Sequence, residues 1–412
     1  MKDKLFAWID NATALAVELE TGLTKLPAIS PDSEGEGELD KCVFLEGWLK
    51  GQGITRLERY DAPDSRAKGG VRPNLIATIQ GSSGDTGSLW IISHLDVVPP
   101  GELSHWKTDP WTVVEAKDDP GHRLIGRGVE DNQQGLASSV IAALAFAKLG
   151  LQPRRTVKLL FAADEETGSK FGIGWLLEKH GGLFQKGDMA LIPDSGDPRG
   201  EGIEIAEKNL IWARFVTRGK QTHGSRPDLG ANAHLAGADL ALRLHYGLSE
   251  KFGDRDSLFE PDYSTFQPTK KEANVPNINT IPGEDAFSMD MRVLPKYPIR
   301  AVRDEIDRIK EEVAARHKVT IEYSLAQSNE SPATSPDAPL VRSLSAAITE
   351  VYGVKPRPVG IGGGTVAAFL RRTGIDCAVW ARLSDSAHQP NEYALLENIL
   401  GDAKVMALMM GL

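Results

Sequence analysis

Residues 156–166 read TVKLLFAADEE, an apolar run of strand length followed at once by three acids. A short apolar run bounded by polar residues marks a buried strand. Upstream, residues 135–149 (GLASSVIAALAFAKL) are rich in Ala and Leu and stop at Gly150, as a helix with a glycine terminator does. The same alternation continues outward. Asn74–Gln80 and Ser88–Ile92 read as strands, Phe171–His180 as a helix and Met189–Ile192 as a strand. Alternating strands and helices predict right-handed crossovers, and so an α/β fold around a mixed, largely parallel sheet with helices on both faces. Lys4–Leu26 has apolar residues at helical spacing, with its acids on the other side, and reads as one helix.

The pattern changes near Lys208. Leu210–Thr217 alternates like a half-exposed strand, and Ala233–Leu248 is an amphipathic helix. Asp285–Leu294 alternates again, Ile299–His317 is a long charged helix, and Lys318–Leu325 is another strand. This β-α-β-α-β series suffices for one small two-layer α+β domain. The Pro/Ser-rich stretch Ser328–Pro339 reads as a linker, after which the helix Leu340–Tyr352 and the strand Asp376–Ala381 resume the earlier style. Residues 208–328 are thus expected to be an insertion into an α/β domain split between 1–207 and 329–412.

Composition narrows the function. The chain has 412 residues, 41% hydrophobic and 25% charged, with a formal charge of −10. That is globular usage, and the acidic balance argues against nucleic acid or an anionic membrane as partner. The two cysteines, Cys42 and Cys377, are too few for a disulfide framework and suit a reducing compartment. The longest apolar run, Val140–Ala147, is far short of the ~18 residues a span needs. The opening MKDKLFAWIDNATALAVELE mixes acids into its apolar pattern, so a signal peptide is not expected. A cytoplasmic location follows as the expectation.

The chemistry-bearing residues share one address. His94 and Asp96 follow the strand ending at Ile92, Glu165 and Glu166 the one ending at Ala162, and Asp194 the one ending at Ile192. His388 follows the strand ending at Ala381, and Asp131 closes a Gly-punctuated loop before a helix. Each has an ordinary explanation when taken alone: paired acids suit a helix start, and Asp suits a turn. Open α/β sheets bind ligands outside the carboxyl ends of their strands, where such loops converge. Sequence-distant His and acid residues gathered there are what a metal site requires.

SHLDVVP (93–99), GRGVEDNQQG (126–135), FAADEETGS (161–169), IPDSGD (192–197) and SDSAHQPNE (384–392) together resemble the ordered motifs of a family of di-zinc hydrolases. Its members include aminoacylase, carboxypeptidase G, acetylornithine deacetylase, succinyl-diaminopimelate desuccinylase and several dipeptidases. The likeness runs through nearly the whole chain, the insertion included. It implies a zinc-peptidase-like catalytic domain carrying a ferredoxin-like lid and dimerisation domain. It also implies two zinc ions bridged by Asp131, one also held by His94 and Asp194 and the other by Glu166 and His388. Cobalt or manganese could substitute. Asp96 would orient His94 from behind, and Glu165 would be the general base acting on a bridging water. The resemblance further implies a cis Asp131–Asn132 peptide. The charges agree: two Zn²⁺ against three carboxylates leave one positive charge for a hydroxide to neutralise.

Substrate residues are carried by the same resemblance. His223, in GKQTHGSRP, would polarise the scissile carbonyl. Asn279, in NINTIP, and Arg292, in MDMRVLP, would help hold a substrate carboxylate. GIGGGTVAAF (360–369) places Gly363, Gly364 and Thr365 before a helix, where backbone N–H groups receive anions, although a tight turn also explains such glycines. The reading is a two-zinc hydrolase that cleaves an amide bond beside a free carboxylate, in a dipeptide, short peptide or N-acyl amino acid. The GGGTVA run leans it towards peptides. An N-acyl amino acid deacylase of the desuccinylase or acetylornithine type is the alternative, and an inactive scaffold of the same fold a remote one. A homodimer through the inserted domain is expected.

Overall fold

A computed structural model describes residues 1–83 and 87–411. The chain divides into two compact units, one formed by Met1–Ile205, Thr334–Val359 and Thr365–Leu412, the other by Ala206–Ala333 with Gly360–Gly364.

The first unit is built on an eight-stranded mixed sheet. Its strands run in the order Leu57–Pro63, Val71–Ile79, Val157–Ala162, Leu89–His94, Met189–Asp197, Asp376–Arg382, Gly202–Glu207, Arg357–Ile361. The four from Val157–Ala162 to Asp376–Arg382 are parallel and central, and antiparallel strands flank them. Central strands are buried on both sides, so they read as continuous apolar runs. One face (Trp90, Ile92, Leu160, Val379) packs on Ile173 and Leu176 of the helix Ile173–His180 and on Leu370. The helix Gly135–Leu149 packs on the other face and is buried from Gly135 to Phe146, which is why it is apolar all round.

The amino-terminal segment departs from expectation. It forms two helices, Lys2–Asp10 and Thr13–Thr24, where one was expected. Asn11 breaks the run: its side chain donates to the Ala7 carbonyl at 2.7 Å, competing with the backbone ladder. The hairpin Val114–Asp118/Gly121–Ile125 and the helix Leu39–Gln52 carry too little periodicity to have been read. Among the described residues no helix is long and apolar enough to cross a membrane.

The second unit is a four-stranded antiparallel sheet, in the order Thr265–Lys271, Glu284–Val293, Asn209–Arg218, Thr320–Asn329. The helices Ala233–Lys251 and Ile299–His317 cover one face, packing Leu240, Leu244, Ile306 and Ile309 on Phe215, Phe287, Met289 and Met291. The chain order is β-α-β-β-α-β, one strand more than the sequence suggested. That strand contains Pro268 and lies at the sheet edge with a bulge between Pro268 and Lys270, so proline masked it. Gly360–Gly364 belong here because Gly360 N donates to Leu258 O at 2.7 Å and Lys208 N to Ile361 O at 3.0 Å.

Asp402, on the carboxy-terminal helix, is fully buried and accepts from Tyr352 Oη at 2.7 Å, Arg382 N at 3.1 Å and Gln134 Nε2 at 3.2 Å. Burial pushes its carboxyl up to about 7, with those hydrogen bonds opposing. A raised folded pKa stabilises fully below the unfolded value of ~3.9 and loses that contribution as pH rises through about 7. Asp402→Asn should therefore gain on the parent in melting temperature between about pH 4 and about pH 8. A gap independent of pH would contradict the assignment.

Candidate metal centre

The first unit brings seven of the expected side chains to one end of its parallel strands. Leu89–His94 ends on His94 with Asp96 two residues on, Val157–Ala162 leads into Glu165 and Glu166, and Met189–Asp197 carries Asp194. His388 lies in the loop after Asp376–Arg382, and Asp131 in the irregular turn Val129–Gln134 that opens the buried helix. Parallel strands point the same way, so the residues beyond them collect at one edge.

Asp131 sits at the centre. Its Oδ1 is 3.0 Å from His94 Nε2 and its Oδ2 3.0 Å from His388 Nε2. His94 Nε2 is also 3.3 Å from Asp194 Oδ1, and His388 Nε2 is 3.1 Å from Glu166 Oε1. One carboxylate therefore faces two imidazoles, and each imidazole is shared with a second carboxylate. Donor atoms of His94, Asp131 and Glu166 lie within 4.8 Å of one another, as do those of His94, Glu165 and Asp194. The peptide between Asp131 and Asn132 is cis.

The donor set suits a pair of divalent cations. Among the described residues no Lys or Arg bonds to Asp131, Glu166 or Asp194, so the carboxylates draw positive charge onto the imidazoles. At His94 burial opposes this, but the Asp194 charge and hydrogen bonds to Asp131, Asp194 and Asp96 hold the pKa well up. Hydrogen bonds to Asp131 and Glu166 push His388 up to about 10. Two imidazole nitrogens and three carboxylates are the N/O ligands zinc, cobalt or manganese accept, and a bound cation would meet the same demand as those protons. Burial and then the Asp194 charge raise Glu165 well above the usual carboxylate range. A carboxyl so raised takes up a proton more readily than an ordinary carboxylate.

The supporting shell fixes these side chains. The Asp96 carbonyl lies 2.9 Å from His94 Nδ1, and its carboxylate is further off at 3.5 Å. A carbonyl only accepts, so Nδ1 carries a hydrogen, and Nε2 is the nitrogen turned towards Asp131 and Asp194. The Asp96 carboxylate instead accepts from Glu165 N at 3.1 Å and Glu166 N at 3.0 Å, pinning the loop that carries both acids. That loop turns sharply at Asp164, whose φ of 65° is in the left-handed region, and Asp164 is bonded to Arg72 at 3.2 Å and Phe171 N at 2.9 Å.

Three further residues had no role in the sequence reading. Asn132 accepts from His94 N at 3.2 Å and donates to Asp194 Oδ1 at 2.8 Å, tying two strand ends together. Glu130 accepts from Ser386 N and Oγ at 2.5 and 2.6 Å and so holds the loop bearing His388, itself at φ 63°. Glu392 accepts from Glu130 N at 2.9 Å, Asp131 N at 3.0 Å and Arg127 Nη1 at 2.5 Å. Burial pushes Glu392 up to about 7 against the Arg127 charge. All three stand inside the quoted motifs, so adjacency to the ligand-type residues was the available signal. Removing Glu392 would strand Arg127, 1% exposed, without its counter-charge. Glu392→Ala should cost about 3–5 kcal/mol of stability by denaturant titration, whereas an isolated surface pair would cost under ~1 kcal/mol.

The remaining expected residues lie outside this cluster. His223 belongs to the second unit, on a two-residue strand paired with Thr280–Ile281, and is exposed. Ser225 N donates to its Nδ1 at 3.2 Å, so Nδ1 is the acceptor and Nε2–H faces outward as a donor. Asn279 is its neighbour: Gly224 N donates to Asn279 O at 2.7 Å. Arg292, Gly363 and Gly364 are also in the second unit, whereas Thr365 is in the first and accepts from Ala367 N at 3.1 Å. None of Gly362, Gly363 and Gly364 has a positive φ, so a left-handed turn does not account for the glycine run.

The family model "Peptidase family M20/M25/M40" matches residues 90–411. An uncharacterized metallohydrolase of Methanococcus maripaludis is 36% identical over 94% of this chain and 97% of its own length. A succinyl-diaminopimelate desuccinylase of Nautilia profundicola is 27% identical over 93% of this chain and 95% of its own length. Among solved structures, an aminopeptidase from Bacillus cereus superposes with a TM-score of 0.78 at 17% identity, over 97% of this chain and 98% of that one. The chain belongs to peptidase family M20/M25/M40 and is a metallohydrolase.

Proposed function

We propose that this metallohydrolase uses two zinc ions to cleave the amide bond of a dipeptide, short peptide or N-acyl amino acid bearing a free carboxylate. The observation that carries the reading is Asp131, whose two oxygens each lie 3.0 Å from a different imidazole. His94 and Asp194 would hold one ion, His388 and Glu166 the other, with Asp131 between them. Bound there, paired ions would supply Lewis acidity and lower the pKa of water from 15.7 towards ~7.

The chain's own residues do the rest. Glu165 takes a proton from the attacking water on its carboxylate and returns it to the departing nitrogen. Its raised pKa suits both halves of that task. His223 donates Nε2–H to the carbonyl oxygen as negative charge develops there. Arg292 and Asn279 receive the substrate carboxylate, together with the Gly363–Thr365 segment. Lid and dimerisation roles for the second unit belong to the same reading. The desuccinylase relative supports the N-acyl amino acid branch, whereas the GGGTVA run leans towards peptides.

Dipeptides, N-acetyl and N-succinyl amino acids tested side by side should separate these branches. Turnover of acyl amino acids alone would exclude the peptidase branch, and turnover of none would exclude the whole reading. Glu165→Gln should keep two metals per chain and lose at least about a hundredfold in kcat. Glu166→Gln should lose metal. A Glu165→Gln variant as active as the parent would refute the base. His223→Ala should lower kcat with metal retained, and an unchanged kcat would remove it from the mechanism.

A further inference from the structure

One residue that this mechanism leaves unused sits beside Arg292. On the strand Glu284–Val293, Phe287, Met289, Met291 and Val293 enter the core, so Ser288, Asp290 and Arg292 share the opposite face. Asp290 and Arg292 are two residues apart on that face, and the guanidinium meets the carboxylate fork to fork: Nε to Oδ1 at 2.7 Å and Nη2 to Oδ2 at 3.0 Å. Trp212, directly across on the neighbouring strand, donates its indole N–H to Asp290 Oδ2 at 2.8 Å. The third guanidinium bond runs from Nη1 to Gly362 O at 2.8 Å, on the glycine-rich loop.

This arrangement fixes what Arg292 has left to offer. A guanidinium has five N–H groups in a rigid plane. Three are engaged, leaving one on Nη1 and one on Nη2 without a partner among the described residues. Asp290 occupies the Nε/Nη2 edge, so the Nη1/Nη2 end is the edge it leaves open, at which a second carboxylate can be accepted in a bidentate mode. Without Asp290 the plane could rotate about its long stem, and both the hold on Gly362 and the presented pair would be lost.

We propose that Asp290, held by Trp212, is a positioning residue that turns Arg292 so that it anchors the glycine loop and presents one pair of N–H groups to a substrate carboxylate. Asp290 thereby sets the preference for substrates that carry a free carboxylate. The inference rests on the proposed role of Arg292, and the test separates the two.

Each substrate of the panel is paired with its C-terminal carboxamide. Arg292→Met should raise KM for the acids and abolish the preference of acid over amide. A preference that survives would overturn the role of Arg292 itself. Where Arg292→Met abolishes it, Asp290→Asn should raise KM for the acids about tenfold, with kcat and the KM of the amides unchanged. Trp212→Phe, at a position 41% exposed, should move acid KM the same way by a smaller factor. It also decides the matter if circular dichroism shows that Asp290→Asn fails to fold. An acid KM that is unchanged or lowered in Asp290→Asn would overturn the proposal, because Asp290 would then be a bystander or a competitor of the substrate. So would an equal rise for acids and amides, which a merely structural role produces.

Discussion

The cluster at the strand ends is governed by one electrostatic demand. Asp131, Asp194 and Glu166 converge on two imidazoles, and among the described residues no Lys or Arg side chain bonds to them. Like charges gathered this closely persist only if a cation joins them or protons move onto the histidines. Much of the surrounding structure is the framework that holds the charges there. Asp96 grips the loop of Glu165 and Glu166, Asn132 links His94 to Asp194, and Glu130 and Glu392 fasten the segments bearing His388 and Asp131.

That framework is itself largely charged and buried. Arg127 and Glu392 are each about 1% exposed, and Arg72 is enclosed with Glu38, Asp64 and Asp164. Buried pairs of this kind add little net stability over apolar packing, because desolvation offsets their attraction. Their return is positional. Ligand-type residues on different strands and loops keep a common geometry without a continuous element to bind them, and contacts behind a ligand-type side chain set its orientation in this way.

Much of this was legible in the sequence. The parallel strands announce themselves as apolar runs because both faces are buried, and the ligand-type residues follow those runs directly. The helices Gly135–Leu149 and Ile299–His317 match their expected bounds because a glycine ends one and strong amphipathicity marks the other. What sequence hid had physical causes. Asn11 split a helix through a single side-chain hydrogen bond. Pro268 disguised an edge strand, where its missing N–H costs nothing. Glu130, Asn132 and Glu392 act through hydrogen bonds to backbone atoms remote in sequence, and no spacing rule encodes such partners. The bond from Arg292 to Gly362 is of the same kind.

An anomalous difference map collected at the zinc edge, on crystals grown with zinc, tests the central claim most directly. Two peaks of comparable height are expected on either side of the Asp131 carboxylate, one beside His94 and Asp194 and one beside His388 and Glu166. A single peak, or none within ligand distance of Asp131, would contradict it.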